Sequence, residues 1–191
     1  MTALAQRRPG KGSRLIFLPT TPVPGHNFNT ILCQANSILN VGDQTRIYHG
    51  RWRNADGRDA NDSLKHYYAE VALATLPRDR WGALGLNPGA TEGTVCSAVV
   101  ELPTTGGAIV LNVDAARAMR VETADDEHFQ PLAGFSGPHS CTLDTDGGLD
   151  GPVKWAKAAL ASLGGNRLRL RIHLKQQGPN PPRLFAVYVR A

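Results

Sequence analysis

Between Arg167 and Lys175 the chain alternates without a slip. Leu168, Leu170, Ile172 and Leu174 fall on one side and Arg167, Arg169, Arg171, His173 and Lys175 on the other. A period of two marks a strand with one face in a core and the other toward water. The same signal, punctuated by Gly, Pro, Asn and Asp, predicts strands at 94–102, 108–113, 119–123, 141–143 and 184–189. Residues 66–75 and 81–86 read as two strands around a tight turn at Leu76-Pro77-Arg78-Asp79, where Pro77 suits the second position of a type I turn. Strand signals also occur at 14–18, 30–35 and 44–53, the last two separated by a turn at 40–43.

One segment reads two ways. Val153, Ala156, Leu160 and Leu163 fall at helical spacing before Gly164-Gly165, yet Val153 and Trp155 also fit a strand. The preferred reading is a short strand at 153–157 followed by a single helical turn, because strands that recur at this spacing build a sandwich. The polar run NADGRDANDS at 54–63 marks the internal boundary. The expected organisation is a polar N-terminal stretch at 1–13, a small sheet with its linker at 14–63, and an antiparallel, jelly-roll-like β-sandwich at 64–191.

Composition alters this picture little. A chain of 191 residues with 20 Gly and 13 Pro is long enough for a large core and is weighted toward turns. The formal charge of +5 is spread along the chain with no basic block, so a nucleic-acid partner is not expected. The N-terminal segment MTALAQRRPGKGS lacks the apolar core of a secretory signal, and no run is long enough for a membrane helix; a cytoplasmic location follows by default. Cys33, Cys96 and Cys141 are an odd number at long spacings, which fits three small buried hydrophobes better than disulfides or zinc.

Candidate chemistry is sparse. Glu70, Asp79, Glu92 and Glu101 lie on or beside predicted strands, but glycosidic cleavage needs two carboxyl groups facing one another, which spacing cannot establish. Asp144, Asp146 and Asp150 lie in a Gly-rich run that offers the oxygen ligands a Ca²⁺ ion uses, so calcium is a possible cofactor; a polar turn is the simpler role. Tyr48, His49, Arg51 and Trp52 form a candidate sugar-stacking surface, against which stands the alternation of a strand burying its aromatics. Trp155 reads as a plug between sheets. The basic stripe at Arg167–Lys175 reads as a solvated face, with an acidic-polysaccharide surface as the alternative. The histidines show no metal-pair spacing, and Gly134-Phe135-Ser136-Gly137-Pro138 is not a nucleophile elbow.

The order of blocks EVALATLPRDRWGAL, GTVCSAVVEL, GAIVLNVD, MRVETAD, PLAGFS, VKW and RLRLRIHLK resembles the C-terminal half of a glycosidase-like family. In that family a five-bladed β-propeller, similar to those of invertases and arabinanases, is followed by a β-sandwich. The sequence departs from the pattern where Arg80 and Trp81 replace Gly and Phe, and where no Gly opens the strand at Met119. The resemblance implies that residues 14–53 are a last propeller blade and that the blades bearing the carboxylates are missing. It implies an accessory, non-catalytic sandwich giving structural support or weak carbohydrate contact. The alternatives are part of a split or self-associating glycosidase, joined to missing blades or to itself through 14–53, and a stand-alone lectin-like module.

Overall fold

Alternating apolar residues and frequent turn signals give an all-β protein. The computed structural model describes residues 31–53, 68–143 and 145–191; side chains at 31–37, 51–53 and 68–69 are outside what is described, as is the strand expected at 14–18. In chain order the strands are β1 (Ile31–Val41), β2 (Gln44–Arg53), β3 (Tyr68–Pro77), β4 (Leu84–Gly85), β5 (Glu92–Cys96), β6 (Val100–Glu101), β7 (Ala108–Asp114), β8 (Arg120–Asp125), β9 (Cys141–Thr142), β10 (Gly147–Val153), β11 (Arg167–Lys175) and β12 (Arg183–Arg190). Among the described residues, single-turn 3₁₀ helices lie at Gly137–His139 and Leu160–Leu163. The chain divides into two compact units between Asp79 and Arg80.

The first unit holds a three-stranded antiparallel meander, β1-β2-β3. Val41 pairs with Gln44 across Gly42 and Asp43, and Gly42 takes φ +56°, as the first central residue of a type II′ hairpin turn requires. β1 runs longer than the sequence predicts. Along β2, Thr45, Ile47 and His49 are buried, and Tyr48 is exposed. Tyr48 pairs with Leu73, and Arg46 lies between Leu39 and Thr75, so Leu39, Tyr48 and Leu73 share one partly exposed face.

The tight hairpin expected at 66–86 does not form. β3 pairs along its whole length with β2, from Gln44↔Pro77 to Arg53↔Tyr68, whereas β4 pairs with β12 over two residues. The turn residues are used elsewhere. The Arg78 N–H donates to Asp43 O at 2.9 Å, the Asp79 N–H to Thr45 Oγ1 at 2.8 Å, and Asn40 Nδ2 to Asp79 Oδ1 at 2.8 Å. Asp79, at φ +57°, thus ties the end of β3 to the β1–β2 turn.

The second unit is the antiparallel β-sandwich. One sheet runs β10-β7-β12-β4; the other runs β5-β11-β8-β9, with β6 also on β11. Leu168, Leu170, Ile172 and Leu174 of β11 face Ile109, Leu111 and Val113 of β7 in one buried cluster, with Val121, Val153 and Leu184. Each such side chain contributes roughly 1.5–3 kcal/mol by burial. Trp155 fills the cluster as expected. Its ring meets Phe135 edge-on at 5.5 Å and 70°, and its Nε1–H donates to Phe135 O at 3.1 Å. The ambiguous segment resolves with β10 ending at Val153, upstream of the strand expected, and with one helical turn at Leu160–Leu163. Cys141 is buried but Cys96 is exposed, so the reading of three buried cysteines fails at Cys96, which falls on the outward face of β5.

Candidate functional site

The outward side chains of β5, β11, β8 and β9 fall in register. His173 pairs with Thr94 on one side and Arg120 on the other, and Arg120 pairs in turn with Thr142. Residues directly opposite in an antiparallel pair point to one face, so Thr94, His173, Arg120 and Thr142 form a single row across four strands. With strands about 4.8 Å apart the row spans roughly 14 Å. It floors an open cleft of about 650 Å³ whose rim includes Glu92, Arg117, Lys175 and Gln177. A smaller hollow of about 250 Å³ shares Arg117, Ala118 and Gln177 with it and continues along the β7–β8 loop. In that loop Ala115 holds φ +49°, a conformation costly for a residue with a Cβ; such strain concentrates at binding sites.

Beside the row, on the same face of the sheet, lies Glu122, 5% exposed, in the neighbouring pair Arg171↔Glu122. Its Oε2 is 2.8 Å from His173 Nε2, and its Oε1 accepts from the Gly137 N–H at 3.0 Å and from Arg120 Nη1 at 3.0 Å. Arg171 stands at 4.0 Å. Burial alone would raise this carboxyl, but the His173 and Gly137 hydrogen bonds and the nearby positive charges outweigh it and hold it below the usual glutamate range. His173 Nδ1 lies 3.1 Å from Thr94 Oγ1, completing a carboxylate–imidazole–hydroxyl chain. At the rim, Lys175 pairs with Glu92 at 2.9 Å and lowers its pKa. Arg117 is exposed and is among the residues that line both hollows.

The arrangement suits binding of a polar anion. Arg117, Arg120 and Lys175 supply positive charge, and Thr94, Thr142 and Gln177 supply hydroxyl and amide partners. Lys175 beside Glu92, and His173, Gly137 and Arg120 around Glu122, hold both carboxyl groups below the usual glutamate range.

The residues singled out from the sequence are dispersed. Tyr48 and His49 point to opposite faces of β2, Tyr48 exposed at 38% and His49 buried at 9%; the side chains of Arg51 and Trp52 lie outside the described residues. Asp144 is also outside them. Asp146 precedes β10 and Asp150 lies within it, which at about 3.3 Å per residue separates them by more than ~10 Å along the strand. Asp150 is ion-paired to Arg190. No group of three or more His, Cys, Asp or Glu side chains able to hold a metal occurs among the described residues. Glu70 pairs across its sheet with Arg51, and Glu101 with Arg167 in the other unit; neither is among the residues that line the cleft.

The basic stripe is less solvated than its alternation suggests. Arg169, Arg171 and His173 are half-buried: Arg169 lies 4.4 Å over the Phe129 ring and donates to Asp126 O and Ser97 O. Glu122 escapes sequence reading because its partner His173 lies 51 residues away. Comparison with protein-family models, curated proteins and solved structures finds no match. The cleft is therefore interpreted from its own chemistry.

Proposed function

We propose that the sandwich is a binding module for an acidic polysaccharide, taken across the outer face of the β5-β11-β8-β9 sheet. The in-register row Thr94–His173–Arg120–Thr142, with Arg117 and Lys175 on its rim, carries this reading. Hydroxyls at the two ends of the row, with Arg120 between them and Arg117 and Lys175 along the cleft, suit a ligand that carries both carboxylates and hydroxyls. Nucleic acid suits it less well, because no Phe, Tyr or Trp lines the cleft for a base to stack on and Glu92 adds a carboxylate. The resemblance to glycosidase-like proteins adds support for a sugar ligand and for an accessory role beside a catalytic domain. Affinity electrophoresis in gels containing polygalacturonate tests the reading. The protein should be retarded, less so at higher salt, and Arg117→Ala should reduce the retardation. Equal retardation of wild type and variant, or stronger binding to duplex DNA, would overturn it.

A further inference from the structure

We infer that Phe129 forms a second, aromatic subsite on the same sheet face as the cleft, where a pyranose ring of the bound polysaccharide stacks by its apolar face. This inference rests on the acidic-polysaccharide reading above for its ligand and extends the path of that ligand beyond the cleft.

The pairing Leu168↔Asp125 sets the loop that follows β8 beside the first residues of β11. Asp125 closes that loop. Its Oδ1 accepts from the N–H groups of Glu127 and His128 at 3.1 and 2.6 Å, and its Oδ2 from that of Gln130 at 2.7 Å. Phe129, inside the loop, takes φ +59°, a backbone region that a bulky side chain rarely enters. The strained backbone does not bury the side chain, since Phe129 remains 48% exposed. Partial burial offsets little of that strain, and backbone outliers of this kind gather at ligand contacts.

Arg169 orients the ring. Its guanidinium lies 4.4 Å from the ring centroid, while its Nε and Nη1 donate to Asp126 O at 3.1 Å and Ser97 O at 3.2 Å. A guanidinium stacked on one face fixes the tilt of the ring and leaves the opposite face to a ligand. The C–H face of a pyranose is apolar and covers such a ring, whereas the carboxylate of the same sugar needs a cation. Arg169, Arg171 and His173 lie on one side of β11, so the ring and the cleft share a sheet face. Four residues separate Arg169 from His173, about 13 Å along the strand. Arg171, its side chain 33% exposed, stands between them, and Arg167 offsets Asp126 beside the ring at 3.5 Å. A polysaccharide lying along β11 thus meets Phe129 with a ring, Arg171 with a carboxylate and the cleft with its next sugars.

The test is calorimetric titration with digalacturonate, which reaches the cleft alone, and with a long oligogalacturonate that also reaches Phe129. Wild type, Phe129→Asn, Phe129→Trp and Arg117→Ala are compared. Phe129→Asn removes the ring without straining the loop, because asparagine visits the left-handed region. It should bind the long ligand at least about fivefold more weakly than wild type does. Phe129→Trp should keep the affinity, and digalacturonate should not distinguish wild type from Phe129→Asn. The second subsite is overturned, and the cleft reading stands, if Arg117→Ala weakens binding while Phe129→Asn has no effect, weakens both lengths equally, or is matched in its loss by Phe129→Trp. If Phe129→Asn weakens binding and Arg117→Ala does not, the cleft reading falls and the aromatic site stands. If the long ligand does not bind wild type, or a single-stranded oligonucleotide binds more tightly than it does, both fall.

Discussion

His173 Nε2 lies 2.8 Å from Oε2 of the buried Glu122, joining β11 to β8 on the outward face of the sheet. Glu122 is held below the ordinary glutamate value of 4.5, so its contribution to stability is present above about pH 4.5 and is lost as pH falls through the lower folded value. Glu122→Gln keeps the shape and removes the charge, and should cost about 1–3 kcal/mol at pH 7. The difference between wild type and variant should shrink as pH falls below the unfolded value, read from urea midpoints between pH 3 and pH 7. A gap that stays constant across that range would show that the carboxylate charge is not what stabilises the pair.

Arg80 has a structural role in the sandwich. Its Nε donates to Asn112 Oδ1 at 3.0 Å and its Nη1 to Asp114 Oδ2 at 3.0 Å, and the guanidinium lies 4.3 Å over the Phe185 ring. Arg80→Ala should cost about 2 kcal/mol or more, since Asn112 is fully buried. Arg80→Lys should recover less than half of that, because a point charge replaces neither the fork nor the stacking. Denaturant unfolding of the two variants distinguishes lost charge from lost geometry.

Gly164 marks a close backbone approach. A Cβ there would stand 2.1 Å from Thr104 O, so Gly164→Ala should destabilise by at least about 2 kcal/mol. Gly82, with nothing within 4 Å of a built Cβ, is the matched control, and Gly82→Ala should change stability by less than about 1 kcal/mol. Thermal melts of both settle whether the contact between the 103–107 turn and the 160–165 turn is tight in solution.

The fold was largely legible in the sequence because strand signals are local. The alternation of Arg167–Lys175 matches β11 residue for residue, and 44–53 matches β2. Pairing was less legible. Pro77-Arg78-Asp79 looks like a hairpin turn, but a ten-residue ladder to β2 competes with a two-residue contact at β4 and wins. The site was least legible. Thr94, Arg120, Glu122 and His173 come from three strands, and only non-local pairing of β11 with both β5 and β8 brings them together. Tyr48 and His49, adjacent in sequence, are separated by the same pleat that aligns the others.

Amide chemical-shift mapping during titration with an oligogalacturonate is the sharpest test of whether the cleft binds an acidic polysaccharide. Saturable shifts centred on Gly93, Thr94, Arg117, Ala118, Thr142 and His173 are expected. Shifts confined to β1, β2 and β3, or no shifts at saturating ligand, would contradict it.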